Sequence, residues 1–152
     1  MPSTCLIHRA VFTIALLVPA CDAGPAEPPA EFPFASATPE CGPADGPAVA
    51  IWLTRDTMPE LPPGSPRVRL YLWHSLSELA GASWAVGGAS QDGAAEYWDG
   101  TGASTPLHGT VRITAVRADS TVEGEVDLDS GDTFSVRGGF RARWIARVVM
   151  CG

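Results

Sequence analysis

Lysine and asparagine are missing from all 152 residues. Without lysine there is no Schiff-base amine, no phosphate-binding loop of the Gly-rich type that ends in Lys, and no Ser-x-x-Lys nucleophile pair. Without asparagine there is no N-glycosylation acceptor. The patterns Gly-x-Ser-x-Gly and His-Glu-x-x-His are absent too, which removes a hydrolase nucleophile elbow and a helical zinc-protease site. Positive charge is scarce: ten arginines stand against seventeen acids, a formal net charge of −7. Neutralising phosphates takes basic clusters, so nucleic acid is not an expected partner. No cofactor or metal motif appears, and the chain reads as non-enzymatic.

Against this background one segment is continuously apolar, residues 11–18. It follows a polar start whose only fixed side-chain charge is Arg9, and it ends in Pro19-Ala20-Cys21. A basic start, a short apolar run and a small-residue end describe a secretory signal peptide over residues 1–20. The run is too short to span a bilayer, which takes about 20 apolar residues. Val18-Pro19-Ala20-Cys21 resembles the lipobox of bacterial lipoproteins, with Pro19 where that family usually places a small or hydroxylated residue. The resemblance implies a lipid on Cys21, with the membrane as partner and the cell envelope as location. Ordinary cleavage after Ala20 or Ala23 would instead leave a soluble secreted or periplasmic protein.

Four cysteines are present. Cys5 lies in the leader. If Cys21 carries lipid, Cys41 and Cys151 remain as a pair in an oxidising compartment, where disulfides persist. Such a bridge would tie the two ends of the folded unit together.

Residues 21–47 are rich in Pro, Ala and Glu and carry seven prolines. Proline opposes both regular helix and central strand, so this stretch is expected to be an extended tether with Phe32 and Phe34 as its only aromatics. The folded domain is expected over residues 48–152. Residues 48–54 read as a first strand. Residues 67–74 alternate, with Val68, Leu70 and Leu72 on one face and Arg67, Arg69, Tyr71 and Trp73 on the other. Ser75-Leu76-Ser77-Glu78 has the spacing of a capping box and predicts one helical turn. Short strands follow at 83–86 and 94–98. Residues 110–116, 121–129 and 133–144 form a C-terminal β-meander with one solvated face. The expected fold class is all-β, a single small antiparallel sandwich or barrel-like domain. Gly109-x-Val111-x-Ile113, Val122-x-Gly124-x-Val126 and Gly139-Phe140-x-Ala142, ending near a Cys, resemble small all-β bacterial lipoproteins with no characterised activity.

Matching inward residues across the last hairpin predicts Val126 opposite Val136, Leu128 opposite Phe134 and Glu125 opposite Arg137, joined by Ser130-Gly131-Asp132. Gly124 and Gly138 would then face each other and leave a notch for Trp144, Trp84 or Trp52.

Side chains able to carry function are few. His74 and His108 lack ligand spacing. Asp127-Leu128-Asp129-Ser130-Gly131-Asp132 lacks the order of an EF-hand loop and reads as a polar turn. Tyr71 and Trp73 share a face with two arginines, opposite the aliphatic face. Together with Tyr97 they are the expected binding residues, for an unidentified protein, glycan or apolar small-molecule partner.

Overall fold

Period-two alternation over most of the chain's second half leads to strands, and the strands close on themselves. The computed structural model describes residues 26–57, 64–131 and 133–152. Its elements are β1 (Phe34–Cys41), β2 (Pro47–Thr54), β3 (Arg67–Leu72), the single-turn helix α1 (Leu76–Leu79), β4 (Ser83–Val86), β5 (Gly93–Trp98), β6 (Ser104–Arg117), β7 (Thr121–Asp129) and β8 (Ser135–Trp144). The sheet runs β6-β5-β3-β2-β1-β8-β7 and returns to β6, a closed barrel of seven strands with β4 attached to the flank of β6. Every pairing is antiparallel except β1 with β8. The fold is therefore all-β and barrel-like, ending in the meander β6-β7-β8.

The barrel is filled. Val49, Ile51 and Leu53 of β2 lie beside Leu72, Leu70 and Val68 of the neighbouring β3 and face the interior with them, all 1% exposed or less. Leu107, Val111, Ile113, Val122, Val126, Leu128, Phe140 and Ala142 complete the core. The helical turn starts at Ser75, whose backbone N–H donates to the Glu78 carboxylate at 2.8 Å. The Ser75 hydroxyl, which donates to the same carboxylate at 2.6 Å, and then this N–H hold the Glu78 carboxyl below its usual range.

One boundary differs from the sequence reading. Residues 34–41, expected within the tether, form a strand between β2 and β8, so the folded unit starts well before residue 48. Its inward residues Ala35, Ala37 and Pro39 are small. They lack the β-branched and aromatic signal of a strand, yet they fit the narrow interior of a seven-strand barrel. Pro39 is tolerated for a specific reason. The Ala37 carbonyl accepts from Ile145 and the Pro39 carbonyl from Arg147, so residues of this parity point away from β2. The β1–β8 ladder ends at Ala37, and the missing proline N–H interrupts no bond to β2.

Residues 26–33 are also part of the fold. Gly139 N–H donates to the Glu27 carbonyl at 2.8 Å, and a Cβ on Gly138 would lie 2.8 Å from that same oxygen. Glycine is needed here because backbone lies directly on backbone. The chain then turns at Pro29 and inserts Phe32, 1% exposed, into one end of the barrel. Phe32 meets Tyr97 and Phe134 edge-on, at 6.4 and 6.3 Å between centroids, while Tyr97 and Phe134 stack at 3.9 Å. Phe32→Ala is expected to lower stability by about 3 kcal/mol, the low end for a buried Phe because water can enter at a barrel mouth. Urea unfolding measures it, and a loss below about 0.5 kcal/mol would mean that this ring is not part of the core.

The β7–β8 register also differs, by two residues. Val126 faces Gly138, Leu128 faces Val136, and Asp127, not Glu125, faces Arg137. The connection is five residues, 130–134, rather than three. Ser130 N–H donates to the Phe134 carbonyl at 2.9 Å, and its hydroxyl accepts from Phe134 N–H at 3.1 Å. An even shift keeps every face, so Val126, Leu128 and Val136 remain inside. The ion pair moves to Asp127–Arg137 at 2.8 Å, and Glu125 instead lies 4.0 Å from Arg112. The expected glycine notch does not form: Phe140 stands opposite Gly124 and lays its ring over it, while the 27–29 backbone covers Gly138.

Cys41 and Cys151 are joined in a disulfide, with Cα atoms 5.6 Å apart. The C-terminal residues reach it by running beside β1, held by Ile145 N–H to the Ala37 carbonyl at 2.7 Å and by the Arg147 contacts to Pro39 and Glu40. Residues 1–20 and Cys21 lie outside the described residues.

Candidate functional site

The outer faces of β2, β3 and β5 carry side chains unlike the rest of the surface. Parity places Trp52 on β2, Arg67, Arg69 and Tyr71 on β3, and Glu96 and Trp98 on β5 outward together. In register, Trp52 lies opposite Arg69, Arg69 opposite Glu96, and Arg67 opposite Trp98. The result is an alternating ladder of rings and guanidiniums. Arg67 sits 5.2 Å over Trp98 and 5.6 Å over Trp52, and Arg69 sits 5.0 Å over Trp52 and 4.8 Å over Tyr71. Each such contact is worth about 0.5–1 kcal/mol at an exposed site, more as water is excluded. Arg69 also approaches Glu96 at 3.6 Å. The Tyr71 hydroxyl donates to the Cys41 carbonyl, which ties the ladder to the disulfide end.

Two concavities open beside the ladder. One, about 240 Å³, lies at the Arg67–Trp98 end, between the glycine-rich loops at 64–65 and 100–102. Gly64 and Gly100 pack backbone against backbone, both at positive φ, with no room for a Cβ on either. The second loop is pinned by Asp99, whose carboxylate accepts the Thr101 N–H at 2.7 Å and its hydroxyl at 2.9 Å. These bonds hold the Asp99 carboxyl below its usual range. The other concavity, about 480 Å³, lies between Arg69, Tyr71, Glu96 and Pro106. It lies over Ala94, the small outward residue of β5 opposite Tyr71. Several donors on this face are buried without a partner: Arg67 Nε, Arg69 Nε and Trp98 Nε1.

The three expected binding residues separate. Tyr71 belongs to the ladder. Trp73 lies past the end of β3, beside Gly42, with its indole N–H unpartnered. Tyr97 does not face outward: it shares parity with Gly93 and Ala95, packs on Phe134 and closes the barrel end with Phe32. Alternation along β5 puts Glu96 and Trp98 on the outer face and Tyr97 inside. Trp52 and Trp98 could have been assigned to the face by that same rule, since Trp52 lies between the inward Ile51 and Leu53.

The histidines do not converge on the ladder. His74 stacks on Trp84 at 3.8 Å and has its Nε2 3.7 Å from Asp92, while His108 is exposed beside Gly87 and Gly88. Among the described residues no three His, Cys, Asp or Glu side chains gather as a metal site. In the acidic turn, Asp127 pairs with Arg137 and Asp129 accepts the Gly131 N–H at 2.9 Å; Asp132 lies outside the described residues. Comparison with protein-family models, with curated proteins and with solved structures found no match, so the ladder is interpreted from its own chemistry.

Proposed function

We propose that this chain is an exported, lipid-anchored, non-enzymatic binding module that presents the outer face of β2, β3 and β5 to a partner. The observation that carries the reading is the ring–guanidinium ladder of Trp52, Arg67, Arg69, Tyr71 and Trp98, flanked by two concavities. Tryptophan, tyrosine and arginine are the side chains that most often dominate a binding surface. The filled interior favours the outside of the barrel over its inside as the place of binding. Export and anchoring rest on the apolar run 11–18 and the lipobox-like Val18-Pro19-Ala20-Cys21. The Cys41–Cys151 bridge fits an oxidising compartment.

Two measurements test it. Wild-type protein is expected in the membrane fraction with added lipid mass on Cys21, and Cys21→Ser is expected to release it or to stop its maturation. Wild-type protein that is wholly soluble and carries no added mass overturns the anchor. In titrations with neutral and acidic oligosaccharides, the indole N–H signals of Trp52 and Trp98 are expected to shift while that of Trp144 stays in place. Silence of both ladder signals toward every oligosaccharide overturns the binding face.

A further inference from the structure

We infer that the pocket between Arg67 and Trp98 takes the carboxylate of an acidic sugar, an inference that rests on the binding-face reading above. It begins with arginine pairing. Among the described residues, Arg69, Arg112, Arg117, Arg137, Arg141 and Arg147 each meet a carboxylate. Arg55 and Arg143 are exposed to solvent. Arg67 is different: it is half-buried and makes no ion pair with any described residue. A partly desolvated guanidinium that meets no described carboxylate can receive one from a ligand.

The geometry around Arg67 suits that guest. Its guanidinium is held against Trp52 and Trp98 at 5.6 and 5.2 Å. Ring contacts fix a guanidinium without using its in-plane donors, and those donors match a planar carboxylate in a two-pronged hydrogen bond. The Trp98 ring lines the same pocket and offers its face to a sugar. Gly64, Gly100 and Gly102 bring no side chain into the pocket, and the neighbouring Asp99 carboxylate is engaged by Thr101. A carboxylate adds one negative charge to an acidic protein with Glu96 on the same face; a phosphate would add up to two.

The rest of the ligand is read from the surroundings. At about 240 Å³ the pocket is smaller than the roughly 300–1,000 Å³ that holds a whole drug-sized molecule. It therefore takes one ring or head group of something longer. The second concavity lies further along the same strand. From Arg67 to Tyr71 is four residues, about 13 Å at the rise of a β-strand. Tyr71 and Pro106 line it with apolar surface, and Arg69 and Glu96 supply donors and acceptors suited to hydroxyl groups. A peptide is disfavoured because β2, β3 and β5 are paired on both sides, which leaves no free strand edge for its backbone. An acidic oligosaccharide, with a carboxylate at Arg67 and a neighbouring ring at Tyr71, uses both concavities.

The test is calorimetric titration of the disulfide-bonded full chain with oligogalacturonate, its methyl ester, and a peptide bearing a free C-terminal carboxylate. Oligogalacturonate is expected to bind, and the ester to bind about 10- to 100-fold more weakly, the range for losing a charge-assisted contact. Arg67→Gln should lose a similar factor toward the acid and nothing toward the ester. Arg67→Lys should recover part of the loss, and Arg143→Gln should change nothing. Equal affinity for acid and ester overturns the carboxylate pocket without needing any variant to fold; Trp52 and Trp98 signals that still shift would leave the binding face standing. A peptide that binds as tightly as the oligosaccharide overturns the sugar assignment. No binding by either saccharide, with silent indole signals, overturns the pocket and the face together.

Discussion

A chain that begins at Ala48 is expected not to fold cooperatively, whereas one that begins at Ala26 is expected to fold. The shorter chain lacks β1, which lies between β2 and β8 along the whole of β2, from Phe34 opposite Thr54 to Cys41 opposite Pro47. Its removal opens the barrel, leaves the neighbouring strands without their ladder bonds, and exposes Ile51, Leu53 and Ala142. It also removes the Phe32 plug. Open sheet edges backed by apolar surface promote aggregation. Total domain stability is only about 5–15 kcal/mol, less than the loss of a central strand and its core contacts. Because the short chain also loses Cys41, the proper reference is the 26–152 chain with Cys151→Ser. Amide dispersion and thermal unfolding read the result. A cooperative transition in the 48–152 chain, near that of the reference, would show that the barrel closes without β1.

Reduction of the Cys41–Cys151 disulfide, or Cys151→Ser, is expected to cost about 4–5 kcal/mol. The bridge closes a loop across 110 residues, and chain-entropy reasoning gives nearly the full value for a loop of this size. The loss has a local component as well. Without the bond, residues 145–152 are held beside β1 by a few hydrogen bonds and the Arg147–Glu40 contact, which is exposed and worth under about 1 kcal/mol. The Cys41 carbonyl is the acceptor for Tyr71, so loosening this end should also shift the Tyr71 ring resonances while leaving those of Phe140 unchanged. Urea unfolding with and without reductant measures the stability. A loss under about 1 kcal/mol would mean that the β1–β8 pairing alone holds the two ends.

Much of the domain was legible in the sequence where large apolar residues alternate. β2, β3, β7 and β8 appear close to their expected places. The capping-box turn forms at Ser75, and Cys41 pairs with Cys151 as the cysteine count implied. β1 was not legible. Its inward residues are small, a proline lies inside it, and its place depends on a partner strand about a hundred residues later. Tyr97, named among the expected binding residues, shares the parity of Ala95 and packs at the barrel end. The ladder was half legible. Tyr71 and its two arginines could be read from β3 alone, but Trp52 and Trp98 join them only through two strand registers.

By itself the sequence determined the strands in which large apolar residues alternate, β2, β3, β7 and β8, and which face of each is buried, because alternation is a local property that survives any even shift of register. It also determined the exclusion of lysine-dependent chemistry. Only the tertiary structure decided that the sheet closes, through the parallel pairing of β1 with β8, and that the last hairpin runs two residues out of the expected register. Both outcomes depend on contacts between residues far apart in the chain: the backbone over Gly138 and Gly139, the Phe140 ring over Gly124, and the Ser130 bonds that set the loop length. Alternation carries no information about those contacts. The same holds for the parts of the cation–π ladder that Trp52 and Trp98 supply, which meet the β3 arginines only when three strands are in register.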